Sequence, residues 1–107
     1  MKLYILEDEI RILQHILQIV NKIDYLEVVG TTAEIAAAAI EIPALKPDII
    51  LADIRLKDGD SFHLFHEIGI EDFQVIFLTA YDQYAIQALN LGAFGYLLKP
   101  IDEVSLT

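Results

Sequence analysis

The sequence lacks several residue types, and each absence narrows what the chain can do. It contains no cysteine, which excludes disulfide bonds and thiolate metal sites. Lys and Arg together number 7, against 17 Asp and Glu, and the net charge of −10 argues against direct binding of this domain to nucleic acid. No apolar run approaches the ~20 residues that span a bilayer, and charge follows the N-terminus too early for a signal peptide. We therefore expect a cytoplasmic chain that makes no use of a membrane.

The 107 residues are enough for one domain, and 55% of them are hydrophobic, which is enough to fill a core. Short and mostly continuous apolar runs predict strands that are covered on both faces. The predicted strands are residues 2–6, 26–31, 49–52, 75–78 and 96–98.

Helical spacing of apolar residues characterises the segments between these runs. The predicted helices are a stripe of core-facing residues from Ile10 to Ile23, then residues 33–41, 61–68 and 83–91. Thr32 is the expected N-cap of the second helix, Pro43 is expected to end or kink it, and Gly92 is expected to end the last one. Alternation of strands and helices predicts an α/β fold with a doubly wound, five-stranded parallel sheet, flavodoxin-like, in strand order 2-1-3-4-5. A fifth helix would begin near Asp102, so we expect it to be missing or truncated in a chain cut from something longer.

A different polar group follows each of four predicted strands. Glu7 and Asp8 follow the first strand, Asp53 the third, Thr79 the fourth and Lys99 the fifth. Because the carboxyl ends of parallel strands open onto one edge of the sheet, these groups are expected to converge there. Taken alone, each residue has a purely structural explanation. Acidic residues favour the start of a helix, where Asp8 could be the N-cap. Thr79 could cap a turn, and the Lys99 side chain could extend from the end of its strand into solvent.

Together the same residues predict chemistry with phosphate. Like charges ~5 Å apart repel by ~3 kcal/mol at an effective dielectric constant near 20, so clustered carboxylates need a cation. Oxygen ligands of this kind favour Mg²⁺, which also takes a phosphate oxygen. Asp53 is then a candidate nucleophile that forms an aspartyl phosphate, while Lys99 and the Thr79 hydroxyl contact the other phosphoryl oxygens. Ala80 leaves room for the group to approach the backbone.

On these residues the chain resembles the receiver domain of the two-component response-regulator family over essentially its whole length. Glu7 and Asp8 match the family's acidic pair, Asp53 its phosphoacceptor, Thr79 its switch hydroxyl and Lys99, followed by proline, its lysine. The resemblance implies that a sensor histidine kinase phosphorylates Asp53 with Mg²⁺, and that the domain is a switch rather than an enzyme, at most phosphorylating and dephosphorylating itself.

The same resemblance implies further roles around the site. Tyr96 corresponds to a rotating aromatic residue, the main-chain carbonyl of Arg55 to a metal ligand, and the bond before Pro100 to a cis peptide. The chain departs from many receivers at Lys57, where they carry proline, and its Gly59 comes early, so the loop from 55 to 60 is expected to differ in shape.

Residues 78–85 and 96–100 resemble receivers that are joined to LytTR-type DNA-binding domains. This implies a C-terminal output domain outside the chain, with a role in transcription regulation, and homodimer formation on phosphorylation.

Two alternatives use the same residues differently. A phosphatase or mutase of the haloacid-dehalogenase type also uses Asp, Thr and Lys, but it places a second Asp two residues after the nucleophile, where this chain has Arg55. A receiver-shaped interaction module that never turns over phosphate would not need the complete acidic set. A metal site at His63 and His66 has no third ligand nearby in the sequence, and no glycine-rich phosphate loop follows the first strand.

Overall fold

The computed structural model describes residues 1–80 and 82–99, which form a central sheet covered by helices. The strands of this sheet are β1 (Lys2–Leu6), β2 (Glu27–Thr32), β3 (Ile49–Ala52), β6 (Gln74–Thr79) and β7 (Gly95–Leu98). A separate hairpin is formed by β4 (Arg55–Leu56) and β5 (Gly59–Asp60), and the helices are α1 (Ile10–Val20), α2 (Ile35–Leu45), α3 (Ser61–Ile68) and α4 (Ala85–Leu91).

All neighbouring strands of the sheet are parallel, in the order β2-β1-β3-β6-β7. Apart from the numbering of the hairpin strands, this is the predicted order 2-1-3-4-5, and the doubly wound α/β fold is confirmed. Four helices lie within the described residues. The expectations about a fifth helix and about Pro100 concern residues outside them.

Alternate residues of β1 serve two cores, one on each face of the sheet. Leu3 and Ile5 pack with buried residues of α1, whereas Tyr4 and Leu6 pack with residues of α2, α3 and α4. Burial of large apolar side chains on both faces explains why the strands carry continuous apolar runs instead of alternating ones. Because both faces of the strands are apolar and buried, the polar residues lie where the strands end.

α1 begins at Ile10 as predicted, but two residues of its predicted core-facing stripe lie elsewhere. Ile10 is the first residue of the helix and its side chain is 65% exposed, whereas Ile16 is fully buried. The helix ends at Val20, so Ile23, although buried, lies beyond it. The regular apolar spacing therefore included two residues, Ile10 and Ile23, that are not on the buried face of the helix.

The predicted boundaries of α2 are also wrong. Thr32 ends β2, and the N-cap position is held by Glu34, whose side chain makes no capping hydrogen bond. Pro43 does not end the helix, which continues to Leu45 before Lys46 adopts a left-handed conformation with φ 50°. α4 begins at Ala85, later than predicted, and ends before Gly92, which has the expected left-handed conformation with φ 97°.

No helix among residues 1–80 and 82–99 has both the length and the apolar character that crossing a membrane requires.

Candidate functional site

Backbone hydrogen bonds bring the strand ends to one edge of the sheet. The Glu7 N–H donates to the Thr32 carbonyl at 2.9 Å, and the Asp53 N–H donates to the Leu6 carbonyl at 2.9 Å. At the other side of the sheet the Lys99 N–H donates to the carbonyl of Thr79 at 2.8 Å. These bonds continue the parallel ladders by one residue each, so the polar residues after the strands lie side by side.

Four carboxylates meet at this edge, with one oxygen of each lying within 4.8 Å of the others. They belong to Glu7, Asp8, Glu9 and Asp53. Glu7 and Asp53 are buried, at 3% and 6% exposure, while Asp8 is half-buried and Glu9 exposed. Sequence reasoning placed three of these side chains at the site and missed Glu9, although its position in the acidic run after β1 was a signal for it.

Lys99 lies among these carboxylates. Its Nζ atom is 2.9 Å from Oε1 of Glu7 and 2.9 Å from Oδ2 of Asp53, and 3.9 Å from Oε1 of Glu9. Burial alone would lower the pKa of the ammonium, but its hydrogen bonds to Asp53 and Glu7 outweigh burial and raise that pKa above its usual value. Lys99 is therefore held in its charged form.

Burial has the opposite consequence for Glu7. It raises the pKa of this carboxyl group, against the hydrogen bonds from Lys99 and from the Glu9 N–H, which lower it. The N–H of Glu9 donates to Oε2 of Glu7 at 3.1 Å, and Oε1 pairs with the Lys99 ammonium at 2.9 Å. Glu7 thus shares the Lys99 ammonium with Asp53.

Asp53 is held by its own neighbours along the chain. Its Oδ1 accepts the Ile54 N–H at 2.7 Å, and its backbone carbonyl accepts the Ser61 hydroxyl at 2.6 Å. Ser61 is fully buried at the start of α3, and its own N–H donates to the Ile54 carbonyl. The sequence did not predict the role of Ser61. Its contact with the Asp53 carbonyl depends on the path of the loop between the two residues, and no sequence pattern indicates that path.

The remaining predicted residues lie around this group. Thr79 is fully buried as the last residue of β6. Tyr96, in β7, is half-buried and packs against the core on the side of α4. Burial raises the pKa of its hydroxyl, while the nearby backbone N–H of Tyr84 acts against this rise. The guanidinium of Arg55 donates to the Tyr84 hydroxyl at 3.1 Å.

The two histidines on α3 do not join a metal cluster within the described chain. His63 lies 3.0 Å from Glu67 on the same helix, and both side chains are largely exposed. Within residues 1–80 and 82–99, the four carboxylates at the sheet edge lie close enough to one another to hold a metal ion.

The chemistry of this group fits Mg²⁺. Its donors are carboxylate oxygens, which suit hard divalent cations. Lys99 supplies a single positive charge against four carboxylates, and its contacts engage Glu7 and one oxygen of Asp53. A further cation beside Asp8 and Asp53 would offset the remaining negative charge.

A family model for the response regulator receiver domain matches residues 3–107. The chain is 35% identical over 103 residues to an uncharacterised response regulatory protein of Vibrio parahaemolyticus; the match covers 95% of this chain and 43% of that protein. It is 31% identical over 105 residues to the sensory transduction protein LytT of Bacillus anthracis, covering 96% of this chain and 43% of LytT. The chain thus spans less than half the length of each of these two relatives.

Solved structures agree with this assignment. The response regulatory domain of MrkE from Klebsiella pneumoniae superposes with a TM-score of 0.90 at 30% identity, over 99% of this chain and 88% of that one. The activated receiver domain of RstA from the same species gives a TM-score of 0.85 at 28% identity, over 99% and 92%. Receiver domains are signalling switches rather than enzymes, which agrees with the sequence-based expectation. By its sequence and its fold, the chain belongs to the response regulator receiver domain family.

Proposed function

We propose that the domain is a switch that accepts a phosphoryl group on Asp53 from a sensor histidine kinase, in the presence of Mg²⁺ and in the cytoplasm. The observation that carries this proposal is the buried Asp53 carboxylate beside the Lys99 ammonium and the other carboxylates at the end of β3. A carboxylate oxygen of Asp53 can attack phosphorus, and the neighbouring Lys99 ammonium can stabilise the negative charge of the phosphoryl group.

The transfer needs positioning and charge neutralisation more than covalent chemistry from the protein. An Asp53 carboxylate oxygen forms the new bond to phosphorus while the phosphorus–nitrogen bond of the phosphohistidine breaks, and the imidazole takes up a proton as it leaves. Hydrogen bonds from Ile54 and Ser61 hold the Asp53 side chain and backbone in place for this attack. Lys99 keeps its positive charge because of its two carboxylate partners, so it can bind a phosphoryl oxygen on which negative charge develops.

Mg²⁺ would be held by Asp8 and Asp53, with Glu7 and the Arg55 main-chain carbonyl as the further ligands that the family resemblance implies. When bound, it would neutralise phosphoryl oxygens. Thr79 is proposed to contact a third oxygen and, with Tyr96, to transmit the change to α4. Tyr96 already packs on the side of the sheet that carries α4, which supports this role.

The direct test is labelling by a small phosphodonor. Incubation with phosphoramidate and Mg²⁺ should add one phosphoryl group per chain by intact mass, stable in acid and labile in base. Asp53→Asn should abolish the product, whereas Asp24→Asn, at an exposed carboxylate outside the site, should leave it unchanged. Labelling of the Asp53→Asn variant at the wild-type level would place the acceptor elsewhere. Continuous release of phosphate without a stable product would instead favour the phosphatase alternative, which family membership does not support.

We further propose that a C-terminal output domain of the LytTR DNA-binding type follows the receiver. The chain spans 43% of LytT of Bacillus anthracis and 44% of the transcriptional regulatory protein BtsR of Salmonella typhi, so each relative has more than half its length outside the match. The coding sequence after Thr107 tests this directly, because an output domain would appear in the same reading frame.

Homodimer formation on phosphorylation is proposed for the surface of α4 and β7. Large apolar side chains on this surface are exposed, which suits association with another protein surface; they are Ile86, Leu89, Phe94 and Leu98. Sedimentation analysis with and without beryllofluoride should show a shift from monomer to dimer. A monomer in both conditions would remove this part of the proposal.

A further inference from the structure

The hairpin of β4 and β5 lies between the phosphoacceptor and α3, and it is too short to hold its own position. Each strand has two residues, and isolated hairpins are marginal even when they are longer. Its placement must therefore come from contacts with neighbouring elements. Leu56 supplies one of them, because it is buried in the core on the side of α2 and α3.

Asp58, at the turn of the hairpin, contacts the start of α2. Its Oδ1 accepts the Ile35 N–H at 3.0 Å and its Oδ2 accepts the Ala36 N–H at 3.2 Å. The first N–H groups of a helix have no partner within the helix, and the N-cap residue Glu34 provides no side-chain bond. Asp58 thus supplies from another element the cap that the sequence predicted for Thr32.

The neighbouring residue brings the turn against the same helix. Gly59 has φ 142°, a conformation that other residues rarely adopt, and a Cβ atom there would lie 3.5 Å from Cδ1 of Ile35. The hydrogen bonds that Asp58 accepts therefore join the hairpin turn to α2, and Gly59 brings the backbone of the turn next to Ile35 at the adjacent position.

The other end of the hairpin lies at the mouth of the site. Arg55 in β4 lies opposite Asp60 in β5 in the register of the hairpin. Its guanidinium donates to the hydroxyl of Tyr84, just before α4. A cleft of about 530 Å³ opens there, lined by Asp8, Arg55, Leu56, Lys57, Gln83 and Tyr84. Arg55 and Lys57 place positive charge on the wall of this cleft, in a protein whose net charge is −10.

We infer that Asp58 is a positioning residue for phosphoryl transfer: by bonding the start of α2 it holds the hairpin so that Arg55 and Lys57 line the cleft next to Asp8, a member of the carboxylate cluster. This inference rests on the proposed function. Loss of the Asp58 carboxylate frees the turn, and a cleft wall that moves by even ~1 Å slows a reaction that depends on alignment.

The test compares three variants in phosphoramidate labelling with Mg²⁺. Asp58→Ala removes both acceptors and should lower the labelling rate at saturating donor about tenfold. Asp58→Asn keeps one acceptor oxygen and should lie between Asp58→Ala and wild type. Ala37→Gly weakens the same first turn of α2 at a residue whose N–H does not bond Asp58, and it should label at the wild-type rate.

The outcomes separate the inference from the proposed function. An unlabelled wild-type chain would reject phosphorylation itself. A labelled wild type with equal rates in Asp58→Ala would reject the positioning role alone. Equal losses in Asp58→Ala and Ala37→Gly would also reject it, because they would show that Asp58 acts only through helix stability. Urea denaturation of each variant confirms that the compared chains are folded.

Discussion

The Nζ atom of Lys99 lies 2.9 Å from Oδ2 of Asp53, and this ion pair joins the last strand of the sheet to the central one. The lysine side chain is only 10% exposed, so little water screens the pair. Removal of one partner from such a pair leaves an uncompensated charge in a buried place. Lys99 therefore stabilises the site before any phosphate is present, and it is in place to bind a phosphoryl oxygen on Asp53.

Lys99→Met tests this double role. Without Mg²⁺ the variant should be less stable than wild type by about 3 kcal/mol, because Glu7 and Asp53 lose their shared cation. Mg²⁺ should restore more stability to the variant than to wild type, since the ammonium no longer occupies the carboxylates. Urea denaturation with and without Mg²⁺ measures both effects, and Lys22→Met, at an exposed lysine, serves as control. Equal Mg²⁺ effects in the three proteins would show that Lys99 and the metal do not share ligands.

The pH dependence of stability should report the same ion pairs. Hydrogen bonds from Lys99 to Asp53 and Glu7 raise its pKa in the folded state above the ordinary value of 10.5, despite burial, which acts in the opposite direction. The stabilisation is therefore complete below pH 10.5 and is lost as pH rises through the folded-state pKa. The difference in unfolding free energy between wild type and Lys99→Met should shrink as pH rises above 10.5. A difference that is constant across this range would contradict the assignment.

Mg²⁺ binding should appear as thermal stabilisation. At ten times its dissociation constant a ligand stabilises by ~1.4 kcal/mol, which for a domain of this size raises the melting temperature by ~6–11 °C. Asp8→Ala and Asp53→Ala should reduce this rise, whereas Asp24→Ala should not. Equal rises in all four proteins would place the ion away from the carboxylate cluster.

The sheet and the convergence of the site could be predicted because they depend on short-range patterns. Continuous apolar runs gave β1 and β3 with their observed boundaries, and the parallel order then brought the residues after the strands to one edge. The charged loop from 55 to 60 carries no such pattern. Contacts between Asp58 and α2, or between Ser61 and the Asp53 carbonyl, join residues whose proximity depends on the path of a loop.

The errors have a common physical cause in tertiary context. Thr32 has the right residue type for a cap, but a strand uses its backbone and a distant carboxylate caps the helix instead. Pro43 lies in the last turn of α2, where its missing N–H removes one helical hydrogen bond without preventing two further helical residues. Local preference predicts the strands of the central sheet and the four helices around it, and packing between them decides where each one begins.

Thr79→Ala tests how the signal leaves the site. A phosphoryl group on Asp53 should draw the Thr79 hydroxyl toward it and change the packing of Tyr96 near α4. The available free energy is limited to differential contacts of a few kcal/mol, which suits a population shift between two arrangements. In wild type, beryllofluoride with Mg²⁺ should move the amide chemical shifts of Ala85–Leu91 and Tyr96. Thr79→Ala should keep Mg²⁺ binding and Asp53 labelling while it loses most of these shifts, and Thr31→Ala, at an exposed position in β2, should retain them. Wild-type shifts in Thr79→Ala would show that another group, such as Lys99, carries the change to α4.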